Sequence, residues 1–369
     1  MKICILTQPL QTNYGGLLQA YALQSVLEGL GHEVWVEDRR SNKLTFCARI
    51  LRDLKKKIGA ILGHYYPTKQ EIGIIREHIT AFVEEQIHTT IPIYSINKTD
   101  LLEYGFDAYV VGSDQVWRPC YSFGIENYFL DFCRGLNVKR VAYAASFGVD
   151  NWEFTPEQTK VCAELLKLFD GVSVREESAI NLCEKYFKIK PSRVLDPTLL
   201  LDKSVYEKIA VTGENIGDGI LTYILDYTQE KKDIIDYLTG ILKMPTFSVL
   251  SRKNIYKDGP SAIKDCILPS VATWLRAFMS AKFVITDSFH GTVFSIIFNK
   301  PFICIGNFKR GNTRFESLLS IFSLENRYVL SVEDCLLKQQ NIEYIEYTNI
   351  NRMLVEEKRK SIDFISKHL

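Results

Sequence analysis

Residues 283–297, reading FVITDSFHGTVFSII, set a carboxylate, a hydroxyl and an imidazole at the joint between two apolar runs. That layout reads as a buried strand, a tight polar turn and the start of a helix. Such a joint turns free backbone N–H groups and the positive end of a helix dipole toward whatever lies above the sheet, which favours an anion. His290, one of six histidines in the chain, stands in that turn. An imidazole beside an anion can carry positive charge or move a proton near neutral pH. Ser288 and Gly291 flank it as candidate anion contacts, although Asp287 or Ser288 could equally serve as a helix cap. Ser288 and His290 are too close in sequence to suggest a serine nucleophile, and no acidic partner is specified.

Further candidates fall at the ends of other expected strands, where open α/β sheets hold their ligands. The loop 12–16 offers Asn13, Tyr14, Gly15 and Gly16; the segment VGSDQVWR (111–118) offers Ser113 and Asp114; SVRE (173–176) offers Arg175. The glycine-containing stretch GNFKRGNTR (306–314) presents Lys309, Arg310 and Arg314. Guanidinium groups hold carboxylate or phosphate through paired hydrogen bonds, so a small multivalent anion is the matching guest. Each feature has a plainer use. The glycine pair at 15–16 lacks the GxGxxG spacing and can be a turn. Arg175 can pair with Glu176 or Glu177, the basic stretch can be a solvated loop, and Trp117 can be a packing residue.

The elements that must position these groups alternate along the chain. Strands are expected at 3–6, 33–37, 108–111, 141–146 and 171–174, with helices at 17–30, 156–169 and 177–186. Gly31 is placed to end the first helix. The segment VLDPTLLL (194–201) reads as a hinge, because Pro197 forces its predecessor out of helical geometry. A second series follows, with strands at 222–225, 247–250, 283–286 and 302–306 and helices at 231–242 and 271–279. The expected fold is α/β, with two doubly wound, Rossmann-like domains facing a cleft. Their bounds are 1–196 and 197–350, and a final helix in 351–369 packs back toward the first domain.

Composition narrows the function. At 369 residues, 46% hydrophobic and 24% charged, the chain has the make-up of an ordinary globular protein. A net charge of +1 gives no field suited to nucleic acid, and none is expected as a partner. The nine cysteines are scattered without a CxxC pair and read as reduced thiols of a cytoplasmic protein. The N-terminal apolar run is too short for a signal segment, and no run reaches the roughly 18 apolar residues of a spanning helix. The stretch 44–62 interleaves basic and apolar residues, as a solvated helix packed on the domain would. Peripheral contact with anionic lipid at the inner face of a membrane is the other use of that pattern.

Taken together, TNYGGLLQAYAL (12–23), VGSDQVW (111–117), YAASFG (143–148), SVREESA (173–179), VLDPTLLL (194–201) and DSFHGTVFSIIFNKPFICIGN (287–307) resemble the polysaccharide pyruvyl transferases. These enzymes move a pyruvyl group from phosphoenolpyruvate (PEP) onto a sugar as a cyclic ketal, in surface or exopolysaccharide biosynthesis. The resemblance implies a GT-B-like fold, PEP as co-substrate, no cofactor, no metal and a sugar acceptor that can be lipid-linked. It implies His290 as the essential histidine, Arg175 as a PEP-binding arginine, and a basic residue at Lys309 or Arg310. The first domain would carry the acceptor side and part of the PEP site, the second the phosphate side. Where members show Asn-x-Gly-Asp, this chain reads NYGG, so Asn13 and Tyr14 are assigned to substrate contact. Two other classes share these features: a GT-B glycosyltransferase using a nucleotide sugar, and a non-catalytic anion- or sugar-binding protein.

Overall fold

The structure, a computed structural model, describes residues 1–40, 65–94, 99–122, 124–308, 310–338 and 342–369. The basic stretch 44–62 and Lys309 lie outside the described residues. The first half is a six-stranded sheet made of β1 (Lys2–Leu6), β2 (Glu33–Val36), β3 (Ala108–Val111), β4 (Lys139–Ala145), β5 (Gly171–Val174) and β6 (Ser192–Arg193). Its order is β2-β1-β3-β4-β5-β6. The second is a five-stranded sheet of β7 (Ile220–Tyr223), β8 (Thr246–Phe247), β9 (Phe283–Thr286), β10 (Phe302–Ile305) and β11 (Tyr328–Val329), in the order β11-β10-β9-β7-β8. Every pairing between named strands is parallel. Parallel strands are covered on both faces, which is why AYVV of β3, FVIT of β9 and FICI of β10 are buried at every position.

The helices that reach the cleft are α1 (Tyr14–Gly29), α2 (Glu177–Leu182), α3 (Gln229–Leu242), α4 (Val271–Ser280), α5 (Phe289–Ile297), α6 (Thr313–Ile321) and α7 (Tyr347–His368). Those at the strand ends, α1, α5 and α6, begin earlier than their apolar spacing suggests. Tyr14, Gly15 and Gly16 belong to the first turn of α1, with Asn13 as its extended N-cap. His290 lies in the first turn of α5, and Arg314 in that of α6, where a loop was expected. First turns carry few apolar residues and leave their amides without intrahelical acceptors, so periodicity does not register them. The short strands β6 and β11 gave no periodic signal for the same reason of length.

The halves share one apolar core. Tyr14 stacks on Trp274 of α4 at 5.6 Å, and Trp274 meets Tyr223 and Phe294 edge-on at 5.5 and 5.1 Å. The C-terminal helix α7 ties both halves: Tyr347 Oη donates to the Lys300 carbonyl at 2.6 Å, and Leu195 N donates to Ser361 Oγ at 3.0 Å. The described cysteines are free thiols, with Cys120 exposed and the others buried. Among the described residues no helix is long and apolar enough to cross a membrane.

Candidate active site

The C-terminal ends of β5, β6, β9 and β10 converge on a buried group of charges. Arg175, which follows β5, is only 4% exposed. Its Nη1 donates to Asp196 Oδ2 at 2.5 Å, and its Nη2 reaches Asp114 Oδ1 at 3.4 Å. Glu176 is 3.9 Å from Nε, too far for a hydrogen bond. Sequence neighbours are therefore not the main partners of Arg175. Glu176 is instead turned under the 146–148 loop, where Oε1 accepts from Ser146 Oγ, Phe147 N and Gly148 N. The Arg175 guanidinium also lies over the Phe289 ring, 4.3 Å from its centroid.

Asp196 is the hub. Oδ1 accepts from the amide and hydroxyl of Thr198, at 3.0 and 2.6 Å, because Asp196 caps the short turn that Pro197 starts. Oδ2 faces Arg175 and also His290, whose Nε2 is 3.6 Å away. That separation gives electrostatic contact rather than a hydrogen bond, and His290 Nε2 has no hydrogen-bond partner. Burial would raise the proton affinity of Asp196. His290 and Arg175, with the Thr198 hydrogen bond, overcome that and hold the carboxyl well below the usual range. Asp196 is thus a carboxylate at neutral pH.

The imidazole is pressed between this carboxylate and α1. A Cβ at Gly15 would come within 2.0 Å of His290 Nδ1 and 2.7 Å of His290 Cβ. Gly15 is there so that the ring can lie against the backbone of α1. Gly15→Ala should therefore displace the imidazole, cutting any His290-dependent turnover by about 10²-fold, the usual cost of a roughly 1 Å misplacement. Overpacking would cost about 1–3 kcal/mol of stability. Steady-state rates and melting temperature measured together check this, and an unimpaired Gly15→Ala protein would contradict the placement.

Arg314 differs from the other arginines. It is 5% exposed, its Nη2 donates to the Arg310 carbonyl at 2.7 Å, and its Nε has no partner. Among the described residues no carboxylate lies within ion-pair distance of it. Its guanidinium shares the Phe289 ring with Arg175, 5.5 Å from the centroid. Burial first, and then the neighbouring Arg175, pull its proton affinity down to about 10, which leaves it charged at neutral pH.

Several expected contacts serve other purposes. Tyr14 is buried, its hydroxyl donating to the Pro269 carbonyl at 2.6 Å, so it joins the two halves rather than meeting a substrate. Ser113 is fully buried and its hydroxyl reaches Ala144 O and Asp196 Oδ2, at 3.0 and 3.3 Å. Gly16 packs beneath the Asn13 side chain. Ser288 caps α5 by accepting from Gly291 N at 3.3 Å, which occupies the amide expected to meet an anion. The first-turn amides of Phe289 and His290 have no intrahelical acceptor and remain the anion-facing ones. Arg310 Nε pairs with Asp226 Oδ2 at 2.5 Å, while its side chain stays 41% exposed. Asn13 is exposed and its Nδ2 donates to Oδ2 of the buried Asp114 at 3.4 Å. Trp117 stacks on Phe129 in the core.

A second knot lies beside the first. Asp287, fully buried, accepts from Leu225 N, Asp226 N, Asn307 Nδ2 and Lys231 Nζ, at 2.6, 3.1, 3.0 and 2.6 Å. It fixes the strand ends of the second sheet and is not merely a helix cap. Among the described residues no group of three or more His, Cys, Asp and Glu side chains is arranged to hold a metal ion.

The family model for polysaccharide pyruvyl transferase matches residues 13–309, from the N-cap of α1 to the loop after β10. The chain belongs to that family. The transferase shares its fold with an Anabaena protein, Alr3699/HepE, solved in complex with UDP and glucose. They are 10% identical with a TM-score of 0.55, and the match covers 99% of each chain. The UDP-GlcNAc 2-epimerase of Methanocaldococcus jannaschii is 13% identical with a TM-score of 0.50, over 96% of the transferase and 100% of the epimerase. Both likenesses concern the fold, which is the two-domain, Rossmann-like GT-B arrangement. No curated protein matches the sequence.

Proposed function

We propose that the transferase moves the pyruvyl group of PEP onto two hydroxyls of a sugar as a cyclic ketal. The observation that carries this reading is Arg314, a buried guanidinium with no carboxylate within ion-pair distance among the described residues, which shares the Phe289 ring with Arg175. A buried guanidinium with no carboxylate in direct contact is costly, and a bound anion would relieve that cost. PEP supplies a carboxylate and a phosphate, and the Phe289 and His290 amides add donors for them.

In the proposed reaction the methylene carbon of PEP takes a proton, leaving positive charge on the adjacent carbon. One sugar hydroxyl adds there and loses its proton. The second hydroxyl then displaces phosphate, so that the diol's two protons end on the new methyl group and on phosphate. His290 is the proposed proton donor, since its charged form faces the Asp196 carboxylate. Asp196 positions the ring, and Arg175 holds Asp196 in place and ionised. Arg314 and the α5 amides hold the anion.

Arg314→Met should raise the PEP Michaelis constant about ten- to a hundredfold, the worth of one charge-assisted hydrogen bond. It should lower the melting temperature little, because the cation it removes is paired with no carboxylate among the described residues and gives up one hydrogen bond to the Arg310 carbonyl. An unchanged Michaelis constant would take Arg314 out of the donor site. The reaction itself is tested by mass spectrometry of sugars and lipid-linked sugars incubated with PEP. A ketal-bearing product with release of phosphate is expected; a glycosyl product formed only from a nucleotide sugar would overturn the reading.

A further inference from the structure

The sugar hydroxyl that attacks the cationic carbon must give up a proton, which Arg175 and Arg314, as permanent donors, cannot take. We propose that Asp114 is the base that takes it, working with His290 across the Arg175–Asp196 pair. The assignment rests on the transfer from PEP set out above and adds a catalytic group to it.

Access and spare hydrogen-bonding capacity set Asp114 apart. The side chains of Asp196 and Asp287 are closed off completely, whereas Asp114 keeps 7% of its side chain open. His290 keeps the same fraction. Asp114, Arg175, Asp196 and His290 form one chain of contacts, and its two open members stand at its ends. Asp196 accepts from Thr198 N, Thr198 Oγ1, Arg175 and Ser113, and Asp287 likewise has four donors. Asp114 has only Arg175 Nη2 on Oδ1 and Asn13 Nδ2 on Oδ2, both at 3.4 Å. A carboxylate offers about four lone-pair sites, so Asp114 can still accept from a substrate. Glu176 Oε2 also has no hydrogen bond, but its side chain is closed off. The Asn13 contact is at the long limit of a hydrogen bond and comes from an exposed side chain, so a sugar hydroxyl can replace it.

The backbone holds this carboxylate still. Asp114 has φ +68°, a left-handed conformation uncommon for residues with a Cβ. Its carbonyl accepts from Val116 N and Ser146 N, at 2.8 and 3.1 Å, which ties the turn after β3 to the end of β4. The charge of Asp114 is felt at Arg314, whose proton affinity it raises, so it lies near the anion site without pairing with the cation there. A fixed carboxylate in that position also offsets positive charge developing on the carbon under attack.

The protons balance over one turnover. His290 gives its proton to the methylene carbon, making the C–H bond of the new methyl group. The first hydroxyl bonds to the adjacent carbon and its proton passes to Asp114 Oδ2. The second hydroxyl then bonds to the same carbon as the C–O bond to phosphate breaks with its electron pair. Phosphate takes the proton from Asp114, and the second hydroxyl's proton returns to His290, so both groups are reset.

The test is Asp114→Asn, which keeps the size of the side chain and tolerates φ +68°. The purified full chain is given PEP with methyl glycosides of glucose, galactose, mannose and N-acetylglucosamine. Ketal formation is followed by mass spectrometry and PEP binding by titration. Asp114→Asn should cut turnover about 10²- to 10⁴-fold, the usual contribution of a positioned base. It should bind PEP as well as wild type or better, since a negative charge near the anion site is gone. Asp114→Gly, which also accepts this φ, should lose turnover equally and regain part of it in sodium formate, a carboxylate that fits the space of the lost side chain. That variant carries the test if the asparagine one does not fold. Wild-type turnover in Asp114→Asn, with PEP bound and ketal formed by wild type, would overturn the base alone. Lost turnover with weakened PEP binding and no formate rescue would make Asp114 a support for Arg175 and also overturn the proposal. Wild type that binds no PEP and forms no ketal would overturn the donor reading, and the base with it.

Discussion

Replacing His290 with alanine should leave the fold in place and cut turnover by about two to four orders of magnitude, the usual contribution of a positioned acid or base. The α5 cap between Ser288 and Gly291 does not depend on the ring. What the variant loses is, among the described residues, the one imidazole beside the Arg175–Asp196 pair. His290→Gln separates two uses of the ring. Glutamine can donate a hydrogen bond to phosphate, yet it cannot deliver a proton at neutral pH. If His290 is the acid, the glutamine variant should be nearly as slow as the alanine one. Substantial activity in His290→Gln would reduce the ring to a hydrogen-bond donor, and wild-type rates in His290→Ala would remove it from the chemistry.

Arg175 should behave differently from Arg314, although both are buried. Arg175→Met strands Asp196 and Asp114 without their shared cation, and removing one partner of a buried pair costs about 3–5 kcal/mol. Loss of activity in that variant would thus come with a large drop in melting temperature at neutral pH. The pH dependence has a definite sign. Asp196 has a folded-state proton affinity below its unfolded value, so its stabilisation is present above the unfolded value of about 4 and fades as pH falls below it. The gap between wild type and Arg175→Met should be widest near pH 7 and narrow on acidification through the carboxylate range. A constant gap across that range would show that Arg175 stabilises by packing on Phe289 rather than by charge.

Much of this organisation was legible in the sequence. Parallel strands buried on both faces leave continuous apolar runs, so β3, β5 and β9 could be read to the residue, and the α5 junction with its histidine stood out. What could not be read was who partners whom. Arg175 and Asp196 sit at the ends of neighbouring strands, and only their parallel pairing brings them together. The VLDP segment looked like a hinge because Pro197 dominates its local signal, while the carboxylate beside it serves as the hub of the site. Arg310 and Arg314 are indistinguishable in sequence. Their surroundings separate because Asp226, from a different strand end, pairs with the first, while among the described residues no carboxylate lies within ion-pair distance of the second. Tyr14 was drawn toward the substrate by its place in a strand-end loop, whereas Trp274, far away in sequence, claims it for the core.

An anionic three-carbon donor, rather than a nucleotide sugar, is expected to bind at Arg314. Isothermal titration of the wild-type chain and Arg314→Met with PEP, UDP-GlcNAc and GDP-mannose tests it most directly. PEP should bind wild type and weaken about ten- to a hundredfold in Arg314→Met, while neither nucleotide sugar binds comparably. Tight binding of a nucleotide sugar with no heat from PEP would contradict the account.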